Sequence, residues 1–197
     1  MKSLMAKQNP ITLPLLIGEH AMIEFDLTTL EGLPEKFKSL VGDMLARVKH
    51  TGGTAFFTIH GWRLKKGETL RRGGPHIDGN YEPHLMSFGG GGWKLDQPGP
   101  PLNTDLHERQ YVNDKGGIVM ASNFEACIGY EGDFDANAIA NGGDCSHFEL
   151  PEGELLDRDR VYYGNNHFVH ESLPMSEDVH RVMARITMPE THVFNPV

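Results

Sequence analysis

Hydrophobic positions between residues 33 and 53 recur at the spacing of one helical face. The apolar residues that follow the i, i+3, i+4, i+7 pattern are Phe37, Leu40, Val41, Met44, Leu45 and Val48. Pro34 suits the first turn of a helix, and Gly52 and Gly53 suit its end. The pattern therefore predicts one amphipathic helix that packs against a core and carries no chemistry of its own.

Elsewhere apolar and polar residues alternate with a period close to two, which predicts strands. The segments from Thr54 onward with strand character are 54–64, 116–132, 147–174 and 179–189. Residues 11–27, which are rich in Ile, Leu and Phe and are interrupted by Gly18, predict one or two further strands. Residues 54–64 and 68–79 flank a turn at Lys66-Gly67, so they also predict a hairpin. One helix and roughly eight short strands favour a mainly β fold, either a two-sheet jelly roll or a barrel.

Residues 79–117 have no clear period and contain the runs FGGGGW and QPGPPLN. A stretch of this length without regular structure is often a binding loop or lid in a compact domain. We interpret it as a substrate-covering insertion, with a plain surface insertion as the alternative. The whole chain, 1–197, is expected to form a single domain with its strand core in 54–188.

The net charge of -9 argues against broad binding to nucleic acid or to an anionic membrane, because both depend on Lys and Arg. One local exception is RLKKGETLRR, residues 63–72, with five basic residues and one Glu. It predicts either a solvated hairpin or a positive lip that attracts an anionic small molecule or a nucleic-acid strand. The principal partner is therefore expected to be a small-molecule or side-chain substrate.

The two cysteines, Cys127 and Cys145, form no C-x-x-C pair and indicate neither a disulfide framework nor a zinc ribbon. A reducing cytosol fits this usage. The N-terminus shows no secretory pattern, and no apolar run approaches the roughly 18 to 20 residues that span a bilayer. We expect a soluble cytoplasmic protein, and the sequence leaves its oligomeric state open.

The strongest chemical signal is RRGGPHIDGNYEPH, residues 71–84, in which His76 and Asp78 lie two positions apart. On a strand, residues i and i+2 point to the same face, so one imidazole and one carboxylate could bind the same divalent metal. The candidates for a third ligand are His167, His170 and His180. Two histidines and one carboxylate form the facial triad of non-heme Fe(II) oxygenases, which leaves coordination positions open.

The order H-x-D, then H-E-S-L-P at His170, then R-x-T at Arg185 resembles the iron- and 2-oxoglutarate-dependent dioxygenases over about residues 54–188. That family has a double-stranded β-helix, a jelly roll of the cupin type. Its H-x-D motif lies near the second strand and its second His near the seventh. The resemblance implies that His76, Asp78 and His170 are the iron ligands and the catalytic centre.

The resemblance also implies the cofactors and the reaction. Fe(II) would act with 2-oxoglutarate as cosubstrate, O2 as oxidant and ascorbate as a candidate reductant. Oxidative decarboxylation to succinate and CO2 would be coupled to hydroxylation of a substrate that the sequence does not identify. In the family an Arg on the eighth strand holds the distal carboxylate of 2-oxoglutarate, a task suited to the planar fork of a guanidinium.

Two assignments within this scheme have rivals. His167 ends G-N-N-H, which fits the G-x-x-H of cupins and makes it the alternative to His170. Arg181 shares a predicted strand face with Arg185 and Thr187, so either Arg could hold the carboxylate, and R-x-T favours Arg185 with Thr187. Further candidates are the phenols Tyr163, Tyr130 and Tyr162 for the cosubstrate, and Trp62 and Trp93 for a substrate pocket.

Two other classes of function remain open from the sequence. A cupin-like metalloenzyme would use the same barrel and metal without 2-oxoglutarate, and would release no succinate. A jelly-roll binding or structural module with a vestigial site would hold no iron after anaerobic purification.

Overall fold

A computed structural model describes residues 1–71, 73–78, 114–135 and 143–196. It contains one helix, α1 (Glu35–Leu45). Its strands are β1 (Lys2–Ser3), β2 (Met5–Pro10), β3 (Glu19–Asp26), β4 (Thr54–Leu64), β5 (Ile118–Ser122), β6 (Cys127–Tyr130), β7 (Gly132–Asp133), β8 (Glu154–Leu155), β9 (Arg160–Gly164), β10 (Val169–Ser172) and β11 (Val179–Thr187).

The strands form two facing sheets and a short pair. The larger sheet has the order β2-β9-β5-β11-β4-β3, the smaller has the order β10-β6-β8, and β1 pairs with β7. The pairings are antiparallel. Met120 and Met183 of the larger sheet pack with Cys127 of the smaller sheet and with Phe168. The prediction of a mainly β protein is confirmed, with an arrangement consistent with a β-sandwich.

The larger sheet packs against other parts of the protein on both faces. On β11, Val182, Ala184 and Ile186 belong to the core cluster that includes the helix, whereas Met183 belongs to the cluster between the sheets. The helix buries five side chains on one face, Phe37, Leu40, Val41, Met44 and Leu45. The predicted helix is thus confirmed, although it ends before the glycines that were expected to stop it.

The predicted hairpin after β4 is wrong. Strand β4 pairs with β3 on one side and with β11 on the other. The backbone of residues 67–68 instead bonds Met175, because Gly67 N donates to the Met175 carbonyl and Met175 N donates to the Glu68 carbonyl, each at 2.9 Å. The chain therefore leaves the larger sheet after Leu64 and crosses to the smaller one.

The N-terminal region also differs from the sequence prediction. Strands β1 and β2 were not predicted, and of the segment 11–27 only β3 is a strand. Most of the expected insertion, residues 79–113, lies outside the described residues, as does Trp93. Within the described parts of the chain, no helix is long and apolar enough to cross a membrane.

Candidate metal site

His76 and His170 are held side by side by their own backbones. His76 N donates to the His170 carbonyl at 2.9 Å, and His170 N donates to the His76 carbonyl at 3.0 Å. This is a hydrogen-bonded antiparallel pair, so both side chains emerge on the same face of the sheet. The two imidazole ring centroids are 4.7 Å apart. Residue 76 thereby extends the edge of the smaller sheet beside β10.

Strand-like alternation then brings Asp78 to the same face. Ile77 points the other way, into an apolar cluster with Tyr130, Cys145 and Val169. Its backbone N donates to the Gly143 carbonyl at 2.9 Å, which fixes the segment on its outer side. One ligand atom from each of His76, Asp78 and His170 lies within 4.8 Å of the others. The predicted i, i+2 geometry and the choice of His170 as neighbour agree with this grouping.

The backbone also determines which nitrogen of each imidazole faces the centre of the group. Nδ1 of His76 is 2.8 Å from the Gly74 carbonyl, and Nδ1 of His170 is 3.0 Å from the Phe168 carbonyl. A carbonyl can only accept, so each Nδ1 carries a proton and each Nε2 is the nitrogen available as a ligand. Nε2 of His170 lies 3.2 Å from Oδ2 of Asp78. A lone pair facing a carboxylate is repulsive unless a cation, either a proton or a metal ion, lies between them.

Asp78 is surrounded by positive charge. Nη1 of Arg185 is 2.5 Å from its Oδ2, and Nη2 of Arg71 is 3.8 Å from its Oδ1. Burial alone would raise the pKa of Asp78, but Arg185, His170 and Arg71 outweigh burial and hold that pKa well below its usual range. Both carboxylate oxygens are buried, and neither accepts a hydrogen bond of good geometry from the described residues. The carboxyl group is therefore ionised, and its lone pairs suit a metal ion.

The group opens onto a cavity between the two sheets. Besides the three candidate ligands, the cavity is lined by Arg71, Arg185, Ser172 and Cys127, and by the methionines Met120 and Met183. One wall is therefore cationic and polar, and the other is apolar. Such a cavity suits a small polar ligand that is bound beside a metal ion.

Arg181 is buried deeper than Arg185 and has different partners. Its Nε, Nη1 and Nη2 donate to Ser122 Oγ at 3.3 Å, Ser172 Oγ at 3.0 Å and Cys127 Sγ at 3.1 Å. Burial raises the pKa of the Cys127 thiol, although the Arg181 charge opposes the increase. The thiol is therefore neutral, and among the described residues no carboxylate pairs with Arg181, which is 0% exposed.

The remaining predicted residues are distributed over the fold. Thr187 lies on the same face of β11 as Arg185, and its hydroxyl is buried without a hydrogen-bond partner among the described residues. His167 is buried outside the His76, Asp78 and His170 group. His180 Nε2 bonds the Leu16 carbonyl at 2.5 Å and is not in that group either. Trp62 is exposed on the surface.

The three tyrosines are not at the cavity. Tyr163 packs in the core cluster on the helix side of the larger sheet, and its hydroxyl bonds His192 Nε2 at 2.5 Å. The expectation that Tyr163 contacts the cosubstrate does not fit this placement. Tyr162 faces the cluster between the sheets, but its hydroxyl accepts from Asp157 N at 3.0 Å. Tyr130 donates to Glu171.

Sequence reasoning overlooked several residues of the cavity. Ser172 lies two positions after His170 on β10, so the same i, i+2 rule would have predicted it. His60 bonds Arg71 of the cavity lining, and with Thr58 it occupies alternate positions of β4, which was a signal that one face of this strand carries polar side chains. Cys127 of β6 also lines the cavity and accepts a hydrogen bond from Arg181.

Comparison of the chain with protein-family models, curated proteins and solved structures finds no significant match. The geometry and chemistry of the site are therefore what indicates a function.

Proposed function

We propose that this protein is an Fe(II)- and 2-oxoglutarate-dependent oxygenase. The observation that carries the proposal is the convergence of His76, Asp78 and His170 on one point of a buried cavity that also contains arginine side chains. Two imidazoles that turn Nε2 toward the group and one ionised carboxylate are the donor set of a facial triad, which binds iron and leaves positions for other ligands.

The connectivity of the strands supports a double-stranded β-helix. From β4 onward the chain passes from the larger sheet to the smaller one at His76, returns at β5, and crosses again at β6. After β8 in the smaller sheet it returns with β9, crosses with β10 and ends with β11 in the larger sheet. A jelly roll has this alternation between two sheets, and in it the candidate ligands come from neighbouring strands of one sheet.

The residues present fit a bound Fe(II) ion. When bound, the iron would supply the redox chemistry with O2 and the cosubstrate, which protein side chains cannot perform. The protein's own contributions are binding and orientation. Backbone carbonyls fix both imidazoles in the Nε2-coordinating tautomer, Arg185 holds the carboxylate of Asp78, and the methionine wall keeps one side of the cavity apolar.

We assign the distal carboxylate of 2-oxoglutarate to Arg181, although the R-x-T pattern favoured Arg185 with Thr187. The charge of Arg185 is balanced by Asp78 at 2.5 Å, whereas the described partners of Arg181 are all neutral. A buried charge without a counter-charge is unfavourable, so a bound anion would stabilise Arg181 more than it would stabilise Arg185. Ser172 and Cys127, which contact Arg181, line the same cavity as the triad.

The test is anaerobic titration of Fe(II) and then 2-oxoglutarate, followed by metal-to-ligand charge-transfer absorbance and by succinate release across a substrate panel. Truncating one partner of a buried charge pair costs about 2 to 5 kcal/mol. Arg181→Ala should therefore weaken 2-oxoglutarate binding by roughly thirty-fold to a few thousand-fold. Iron stoichiometry should be unchanged, because Arg181 contacts none of the ligands.

Arg185→Ala is the matched comparison. It should affect iron affinity, since it removes the partner of Asp78, and it should change 2-oxoglutarate affinity less than Arg181→Ala does. The reverse ranking for 2-oxoglutarate would restore Arg185 with Thr187 as the carboxylate site. Iron binding without the absorbance would favour the cupin-like metalloenzyme, and failure to bind iron would contradict the proposal as a whole.

A further inference from the structure

A chain of hydrogen bonds connects Arg71, at the cavity, to the protein surface. Nη1 of Arg71 lies 2.9 Å from Nε2 of His60, and Nδ1 of His60 lies 2.8 Å from Nδ1 of the exposed His20. A guanidinium only donates, so Nε2 of His60 must accept and its Nδ1 must carry the proton. His60 then donates to His20, and the direction of both bonds is fixed. Arg71 is thereby oriented by an imidazole.

The supporting imidazole orients Arg71 without neutralising it. Burial, and next the charge of Arg71 itself, lower the pKa of His60 to about 3, so this histidine is neutral at physiological pH. A carboxylate at the same place would give the same geometry but would cancel the positive charge. As a neutral acceptor, His60 adds no counter-charge of its own to Arg71, which lies 3.8 Å from the carboxylate of Asp78.

Among the guanidinium groups of Arg71, Arg181 and Arg185, all within the described parts of the chain, that of Arg71 is the outermost. Its side chain is 13% exposed, whereas that of Arg185 is 2% exposed and Arg181 is fully buried. Its contact with Asp78 is 3.8 Å, longer than a hydrogen bond, whereas Arg185 contacts Asp78 at 2.5 Å. Arg71 therefore lines the more open side of the cavity, where a substrate would reach the triad.

This placement also changes the interpretation of the basic segment 63–72. Lys65 is bonded to Asp178 on the surface at 2.8 Å, and Arg63 is exposed on β4. Arg72 lies outside the described residues. Among the basic residues of the segment that are described, Arg71 is the one that lines the cavity. One positive group of this segment thus lies at the cavity, while Arg63 and Lys65 stay on the surface.

We propose that Arg71 binds an anionic group of the substrate, a carboxylate or a phosphate, and so restricts the substrates to small anionic molecules. The planar guanidinium matches the paired oxygens of either group with two parallel hydrogen bonds. A neutral analogue would leave the guanidinium without that partner and would bind more weakly. The catalytic meaning of this site rests on the proposed function, but its anion binding does not.

The experiment is calorimetric titration of acetate, methyl phosphate and the neutral isostere acetamide, in chloride-free buffer, into the whole protein. One arm uses protein alone, and the other uses protein saturated anaerobically with Fe(II) and 2-oxoglutarate, which occupies the proposed Arg181 site. Wild type should bind an anion and not acetamide in both arms. The tighter of the two anions identifies the substrate group.

Arg71→Gln should weaken anion binding by roughly tenfold or more, equivalent to about 1.4 kcal/mol. Gln can still bond His60, so the support is retained. Arg63→Gln removes the same charge from the exposed end of β4 and should leave anion affinity unchanged. Equal anion affinity in wild type and Arg71→Gln, or no anion binding in wild type, would overturn the inference.

The two proposals fail in different ways. If Fe(II) or 2-oxoglutarate does not bind while the protein-alone arm shows Arg71-dependent anion binding, the oxygenase proposal fails and the anion site stands. If Arg71→Gln lowers iron affinity but not anion affinity, Arg71 only supports Asp78, and the anion site fails.

Discussion

At the scale of single residues, the two candidate histidine ligands make the same local hydrogen bond to the backbone. Each donates its Nδ1 proton to the backbone carbonyl two residues earlier, Gly74 for His76 and Phe168 for His170. The tautomer is therefore set within each short segment and needs no distant side chain. Outer partners of this kind typically affect metal affinity by 10- to 100-fold, and here substitution of a side chain cannot remove them.

The choice of third ligand gives a residue-scale prediction. His170→Gln should abolish stoichiometric Fe(II) binding, because it removes one of three converging donors, whereas His167→Gln should retain it, because His167 lies outside the group. Metal analysis of anaerobically loaded, folded protein measures both, with circular dichroism as the check on folding. Iron retained by His170→Gln and lost by His167→Gln would show that the wrong histidine was chosen.

The sequence was enough to place a residue when the spacing along one strand determines its neighbours. It was not enough when those neighbours come from the opposite sheet. The i, i+2 spacing was enough to place His76 with Asp78, and alternation put Arg181 and Arg185 on one face. It could not tell which Arg faces Asp78 and which faces Ser172, because those partners come from the other sheet. Tyr163 was misplaced since a shift of one residue moves a side chain to the opposite face of its strand.

At the scale of elements, the pairing of β6 with β10 leaves space for one aromatic ring. Gly129 lies opposite His170, and a Cβ there would be 2.7 Å from Cζ of Phe168. The Phe168 ring is stacked on His170, with ring centroids 5.3 Å apart. A glycine in β6 thus permits the ring that supports a candidate ligand in β10.

Two glycine substitutions should change the free energy of unfolding in opposite directions, because one added methyl group meets Phe168 and the other meets nothing. Gly129→Ala should lower the free energy of unfolding by about 1 to 3 kcal/mol, the usual cost of overpacking, and should weaken metal binding by displacing Phe168. Gly42→Ala meets nothing within 4 Å in the middle of α1 and should raise stability by about 0.5 to 1 kcal/mol. Urea denaturation measures both, and a stabilised Gly129→Ala would refute the packing argument.

The predictable elements were those with a local pattern. The helix was found because five buried side chains recur on one face. The hairpin after β4 was predicted from a turn signal at Lys66-Gly67, but the backbone there bonds Met175, more than a hundred residues later in the chain. Turn-forming residues indicate where a strand ends, but they do not indicate which sheet the next segment joins.

At the scale of the whole molecule, two buried neutral histidines should make the fold sensitive to acid. Burial lowers the pKa of His60 to about 3 and that of His192 to about 4. Both values lie below the ordinary value of 6.5, so the unfolded chain binds these protons first as the pH falls. Their stabilising effect is complete above pH 6.5 and is lost progressively between about pH 6.5 and pH 3.

Urea midpoints measured from pH 7 to pH 3.5 should therefore fall in wild type and fall less steeply in His60→Gln and His192→Gln. The exposed His147→Gln is the control and should follow wild type. Parallel curves for wild type and both buried variants would show that these histidines do not cause the acid sensitivity.

The direct backbone pairing of His76 with His170 has a consequence for the order of events in folding. The two residues are 94 positions apart (170 − 76), and loop closure over such a length must precede any contact between them. No fragment that contains only one of the two segments can reproduce the site. Long-range pairing of this kind is slow compared with local structure. The ability to bind a metal should thus appear late in refolding, so the appearance of metal affinity would report completion of the native topology.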